Sequence, residues 1–356
     1  MDTPENQSGT GVFTPGTTLD GRYRIRRPIG AGGMGSIFIA EHLKFGRDVA
    51  IKVLSSTGQE DVRAHERFLR EAKAVCHLQH PNLVTYHDFG TDTATGILYL
   101  VLELLKGRDL ASILQDQRQL PLHRIIHILT QLCDALSEAH MHGVIHRDLK
   151  PANVMLVRRG EDSDFVKLID FGIVRVIQEE AQGDELTSVG MIVGTPGYIA
   201  PEYIQFQQVD HRVDVYALGV IAYELLAGRR PFVHEKASEV LRMHVRTPVP
   251  RLLRLHDGRT VPDELNTVVT TSLAKDPDKR FSSVREFKEH ILTASLPLLE
   301  DGGLDLTIEG NEFYSAPHAR VGGPEIALSG LSDTAVPISG HTVSPLATGA
   351  SGTAER

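Results

Sequence analysis

Two cysteines in 356 residues, Cys76 and Cys133, are too few for a disulfide framework, and both fall in helix-like stretches. They read as buried free thiols in a reducing compartment. The 17 histidines never combine with cysteine at zinc-site spacing. No run of about 20 apolar residues exists to span a bilayer. Residues 1–18 are polar and rich in Gly and Thr, without the apolar core of a secretion signal. Positive charge is also in short supply: the net charge is −9, whereas a nucleic-acid binder would show a basic face. Six of those nine negative charges come from residue 296 onward, so the remainder is only mildly acidic. No internal repeat is present. The expectation is a cytoplasmic protein with no membrane and no nucleic-acid partner. Its 41% hydrophobic and 23% charged residues suit a globular chain long enough for two packed lobes and a tail.

Residues 1–20 read as disordered. Strand-like runs then follow at 22–29, 36–41 and 47–54. Residues 61–78 are helical, with Phe68, Ala72, Val75 and Cys76 recurring at three- and four-residue steps. His80-Pro-Asn-Leu-Val84 breaks that helix and opens two strands, the second at 97–102. From Asp109 the pattern turns mostly helical. Residues 122–142 carry a buried stripe of Ile125, Leu129, Leu132 and Leu136, and 213–227 is apolar enough for a central helix. Further helices are expected at 235–245, 263–274 and 283–294. Beyond Leu298 the chain is rich in Gly, Ser, Thr and Pro and reads as a disordered tail.

Chemistry is concentrated in six short motifs. Gly30-Ala-Gly-Gly-Met-Gly35 places Gly30, Gly32 and Gly35 where backbone N–H groups can approach phosphate without a Cβ in the way. Alone this is a weak signal. A dinucleotide-binding fold would need the loop to open a helix, but Ser36-Ile-Phe-Ile-Ala is β-branched and aromatic, so the loop joins strand to strand. Val49-Ala-Ile-Lys52 ends a strand in a lysine, ordinarily a solvated edge charge. Glu71 follows 19 residues later on the helix. His146-Arg-Asp-Leu-Lys-Pro-Ala-Asn153 is the most specific block. In it Asp148 is the candidate base for a hydroxyl proton, Lys150 can neutralise a developing negative charge, and Asn153 offers a neutral oxygen to a hard cation. Asp170-Phe-Gly172 supplies an anionic oxygen, and Ala200-Pro-Glu202 closes the set.

In this order the motifs resemble the eukaryotic-like serine/threonine protein kinase family in its bacterial style, over about residues 20–295. The resemblance implies an α+β, bilobal, protein-kinase-like fold with a small β-rich N-lobe and a larger, mainly helical C-lobe. On that reading 1–20 is a disordered N-terminus, 21–295 the kinase domain (lobes 21–104 and 107–295), and 296–356 a disordered tail. It implies a Lys52–Glu71 ion pair that steadies Lys52 on the α- and β-phosphates of ATP. It makes Glu103 and Leu105 the hinge whose backbone pairs with adenine, Leu102 the gatekeeper, and Ile29, Ile37, Ala50 and Met155 or Leu156 the apolar sandwich. Asn153 and Asp170 would hold Mg²⁺, with Mn²⁺ as a substitute. Lys150 and Thr195 match the branch that phosphorylates Ser and Thr.

Thr187 is the first expected autophosphorylation site and Ser188 the second, with Arg147 receiving the phosphate and Arg175 as a second arm. Val189 stands where relatives often carry a second threonine. Glu202 and Arg280 are implied to form a buried ion pair, and Asp214 to anchor the catalytic loop. Many bacterial members carry a membrane helix and an external sensor; this chain shows neither, so its signal is expected from inside the cell. Protein substrates are the expected partners, together with phosphothreonine readers of the activation loop or of tail residues such as Thr342 and Ser344; homodimerisation stays open. The rival from outside enzymology is a pseudokinase scaffold, against which Lys52, Asp148, Asn153 and Asp170 are all present. A small-molecule kinase is the third reading, opposed by the long segment around Thr195.

Overall fold

Residues 47–54 alternate their side chains between two faces, and both faces are buried. Val49, Ile51 and Val53 point one way, and Ala50, Lys52 and Leu54 the other. This strand is the middle of a six-stranded antiparallel sheet in the computed structural model, which describes residues 13–32, 35–54, 62–117, 120–171, 195–206, 210–255 and 258–300. The strands are β1 (Thr18–Leu19), β2 (Tyr23–Gly32), β3 (Gly35–His42), β4 (Arg47–Leu54), β5 (Tyr86–Thr91) and β6 (Leu98–Glu103). Their order across the sheet is β1-β2-β3-β4-β6-β5. One helix, α1 (Val62–Cys76), packs against β5, burying Phe68, Ala72 and Val75.

The outer face of the sheet is closed by residues that composition assigned to a disordered N-terminus. Phe13 and Leu19 are buried against Phe38, Tyr23 and Val101, and the Phe13 and Phe38 rings meet edge-on at 6.2 Å. Without that cover the outer apolar set would face water. Ordered packing therefore begins by residue 13 rather than residue 21.

Below the sheet, β7 (Gly107–Asp109), β8 (Val154–Arg159) and β9 (Asp162–Leu168) form a second small sheet. The helical reading of the region after Asp109 missed it. Around it lie α2 (Leu110–Asp116) and α3 (Leu122–Met141). They are followed by α4 (Pro201–Phe206), α5 (Arg212–Ala227), α6 (Ala237–Arg246), α7 (Asp263–Ser272) and α8 (Val284–Glu300). The α3 stripe of Ile125, Leu129, Leu132 and Leu136 is buried, and α5 is buried on nearly all sides before Gly228 caps it in the left-handed region at φ 69°. α8 runs to Glu300 with Leu298 buried, so a boundary at 295 would cut a packed helix. The lobes are stitched by Val84 N donating to Leu168 O (2.9 Å) and Leu168 N donating to Asn82 O (2.8 Å). Both cysteines are free; Cys133 is buried and Cys76 half-buried.

Gly219 lies where α5 crosses α7 closely. A Cβ there would strike the Ser272 side chain, whose own Cβ would lie at 2.8 Å. Gly219→Ala should cost about 1–3 kcal/mol through overpacking, read as a lowered urea midpoint. Gly219→Ala combined with Ser272→Gly should recover part of that loss, and equal midpoints for the single and double variants would refute the contact.

Candidate active site

The site is built where the two sheets face each other. Gly30 and Gly32 sit in β2 opposite Ile37 and Gly35, so the glycine turn does join strand to strand. Gly35 has φ 143° and backs onto the Val53 carbonyl with no room for a Cβ. Ile37, Ala50, Leu102, Leu105, Met155 and Leu156 are all buried in the main core, with half-buried Ile29 packed on it. Met155 pairs in register with Lys167, whose ammonium reaches Glu103 at the hinge; Leu156 pairs with Val166, whose N–H bonds Gln131 of α3. Met155 thus shares the cleft side of β8, and Leu156 the α3 side. The Lys167 contact is absent from the sequence reading. Its Nζ donates to Glu103 Oε1 (2.6 Å) and to Leu83 O (3.1 Å), while Thr85 N also donates to Glu103 Oε1 (2.7 Å).

Lys52 is buried on the inner face of β4, and its counter-charge is Asp170 at 2.9 Å. The expected Lys52–Glu71 pair is not made. Glu71 sits beside Arg70 Nε at 3.3 Å, with its side chain 29% exposed. A buried ammonium needs an anion within reach, and Asp170, held at φ 57°, delivers its carboxylate to that point. The other Asp170 oxygen, Oδ2, is buried with no hydrogen-bond partner among the described residues.

The catalytic-loop residues hang from one carboxylate. Asp214, at the start of α5, accepts from His146 N (2.8 Å), Arg147 N (3.0 Å) and the His140 ring (2.7 Å). These bonds outweigh the effect of burial and hold the Asp214 carboxyl below its ordinary range. Its His140 contact lies 74 residues away in sequence, and no motif announced it. His146 is fully buried, which pushes its pKa down and keeps it neutral. Its Nε2 lies 2.9 Å from the Ile169 carbonyl, so Nε2 carries the proton and Nδ1 accepts from Asp148 N (3.3 Å). The ring also packs on Phe171, tying the loop to the segment that carries Asp170. Lys150 Nζ lies 3.3 Å from Asp148 Oδ2. Asn153 Nδ2 donates to Asp148 O (2.7 Å), which turns its Oδ1 away from that loop.

Asp170 with an unpartnered buried oxygen, and Asn153 with an outward amide oxygen, form a donor set suited to a hard divalent cation. Among the described residues no three His, Cys, Asp or Glu side chains converge on a metal position. Thr187, Ser188 and Arg175 lie outside the described residues, as do Thr342 and Ser344.

Thr195 opens the short turn Pro196–Tyr198, and Glu202 on α4 follows it. Arg280 donates to both Glu202 oxygens at 2.7 Å. Under this turn lies His244 of α6, fully buried, with the Tyr216 hydroxyl 2.8 Å from its Nδ1. Burial pushes the pKa of His244 down to about 3, the Lys275 charge adding to the shift and the Gly197 backbone opposing it. An unfolded histidine titrates near 6.5. Between those values the unfolded chain holds the extra proton, so stability falls with pH, by up to about 1.4 kcal/mol per unit for this residue. Buried His146 contributes with the same sign. Urea unfolding between about pH 7.5 and 5 should show a shallower slope in His244→Asn than in the native chain; equal slopes would exclude His244 as a source.

The protein kinase domain family model matches residues 23–292. Serine/threonine-protein kinase pkn3 of Myxococcus xanthus is 40% identical over 277 residues, covering 78% of this chain and 50% of that protein. Serine/threonine-protein kinase PknB of Mycolicibacterium smegmatis is 36% identical over 305 residues, covering 85% of this chain and 47% of that protein. The chain spans about half the length of these curated relatives. Among solved structures, the Mycobacterium tuberculosis PknI kinase domain superposes with a TM-score of 0.60 at 30% identity, covering 80% of this chain and 99% of that one.

Proposed function

The chain belongs to the protein kinase domain family, and from that premise we propose that it transfers the γ-phosphoryl group of ATP to serine and threonine hydroxyls of proteins. The observation that carries this reading is the convergence of Lys52, Asp148, Lys150, Asn153 and Asp170 on one cleft, with a buried Asp170 oxygen left for a cation. The family uses ATP with a divalent metal ion; Mg²⁺ is the ion assigned to Asn153 and Asp170. When bound, the cation neutralises phosphate charge that would otherwise grow during transfer.

Asp148 orients the acceptor hydroxyl and takes its proton as the hydroxyl oxygen bonds to phosphorus and the bond to the ADP oxygen breaks. Lys150 screens the charge on the moving phosphoryl group. Lys52 holds the remaining phosphates. To do so it exchanges its contact with Asp170 for one with phosphate. Inward movement of α1 would bring Glu71 to Lys52 and release the carboxylate. Glu103 and Leu105 offer backbone groups to adenine, with Met155 as the floor of the ring site. Among the described residues no helix is long and apolar enough to cross a membrane.

Autophosphorylation at Thr187, and secondarily at Ser188, is the proposed trigger. Incubation with Mg²⁺ and ATP, then phosphosite mapping by mass spectrometry, tests both claims together. Phosphate at Thr187 or Ser188, absent in Asp148→Asn, is the expected result. ATP binding without phosphate on the chain or on a generic protein acceptor would overturn the reading.

A further inference from the structure

Gly197, in the turn after Thr195, has no space for a side chain. A Cβ there would strike the Arg230 guanidinium, with Arg230 Cδ and Cζ at 3.2 Å. Arg230 therefore lies along the backbone of the loop that receives the acceptor peptide, its guanidinium carbon 5.9 Å from the Tyr198 ring centroid. It is half-buried and makes no hydrogen bond or ion pair among the described residues. The carboxylate that could have satisfied it, Glu224 of α5, instead accepts from the Tyr198 hydroxyl at 2.6 Å. Burial pushes the Glu224 pKa up, with the Tyr198 bond and Arg230 opposing.

Apart from Glu224 and Glu235, the charges neighbouring Arg230 on this edge have its sign. His244 beneath it is neutral, and Lys275 stacks over Phe232 at 4.2 Å. The connection from Gly228 to Lys236 carries exposed Arg229 and Lys236 against one exposed acid, Glu235. Glu239, the next acid, is bonded to Arg242. A cationic strip beside the peptide loop is unexpected in a chain of net charge −9. The chain's own candidate acceptors supply the complement. Glu179, Glu180, Asp184 and Glu185 precede Thr187 and Ser188, and no further carboxylate follows until Glu202.

We propose that Arg230, backed by Arg229 and Lys236, selects protein substrates with acidic side chains on the N-terminal side of the acceptor hydroxyl. This rests on the kinase reading above. A half-exposed guanidinium facing a carboxylate makes a charge-assisted, bidentate contact that a neutral side chain cannot match.

The test uses the full chain, pre-incubated with Mg²⁺ and ATP, and two peptides. One has the sequence of residues 181–190; the other carries Asn and Gln in place of Asp184 and Glu185. The native protein should prefer the acidic peptide by about tenfold in kcat/KM, and added salt should shrink the ratio. Arg230→Gln should bring the ratio close to one, and Arg230→Lys should restore part of it. A structural role alone would lower both rates and leave the ratio intact. Equal use of the two peptides by the native protein, or an unchanged ratio in Arg230→Gln, overturns the inference and leaves the kinase reading standing. No phosphorylation of either peptide or of any protein acceptor takes both down.

Discussion

Asp170→Asn should lower the rate of phosphoryl transfer by at least about 10³-fold, because the substitution removes charge stabilisation at the reacting phosphate. The asparagine keeps the shape of the side chain and loses only the charge, so the loss reports electrostatics rather than a cavity. Asp170 serves two positions with its two oxygens. Oδ1 is paired with Lys52 at 2.9 Å, and Oδ2 is buried and unpartnered. Loss of the charge therefore also leaves the buried Lys52 ammonium without its anion, which should cost about 3–5 kcal/mol of stability. Asp170→Asn combined with Lys52→Met separates the two effects. The double variant should regain much of the stability, because an apolar side chain of similar length replaces the orphaned charge, and it should stay inactive. Rates and urea midpoints measured on the native chain and the two variants decide the matter. A single variant within tenfold of the native rate would remove Asp170 from the reaction.

That double role also shows where the sequence was legible. The alternation of residues 47–54 was enough to set Lys52 on the same face as Ala50; with both faces apolar, only the order of the motifs said which one looks into the cleft. The α3 stripe and the apolar run of α5 were equally readable, because burial of a helix face is written in its spacing. The partner of Lys52 was not readable. Glu71 and Asp170 both lie within the reach of a lysine in such a fold, and which one it meets depends on how far α1 sits from the sheet. No local pattern encodes that distance.

The β8–β9 hairpin was missed for a different reason. Val154-Met-Leu-Val and Phe165-Val-Lys-Leu are short apolar runs on either side of Gly160, a hairpin signal at φ 60°, but runs this short fit a buried helix turn as well as a strand. Its Lys167 then carries the unforeseen contact to Glu103, 64 residues away in sequence. Phe13 and Leu19 were missed because a few apolar residues in a polar stretch look like disorder until the open sheet face they cover is known.

Arg280→Leu should cost about 3–5 kcal/mol, a large share of the roughly 5–15 kcal/mol that holds a protein folded. The Arg280 side chain is fully buried, and that of Glu202 is 11% exposed. Removal of the guanidinium strands a carboxylate that little water can reach. Three carbonyl groups lose a donor in addition: Ala274 O at 2.7 Å, Arg212 O at 3.2 Å and Lys275 O at 3.3 Å. The cation also leaves the Tyr216 ring, whose centroid is 4.8 Å away. Arg280→Lys should recover little, since an ammonium cannot present two parallel donors to a carboxylate while also reaching those carbonyls. The pair with Glu202→Leu distinguishes the terms. If the stranded charge dominates, Arg280→Leu with Glu202→Leu should be more stable than Arg280→Leu alone; if the carbonyls dominate, the double variant should be no better. Urea unfolding of the three variants gives the answer directly. A cost for Arg280→Leu below about 1 kcal/mol would mean that water enters the site once the pair is broken. The pair would then act chiefly to fix α4 and the Thr195 turn against the start of α5 and the segment that precedes α8, and the larger effect of the substitution would fall on KM for protein substrates.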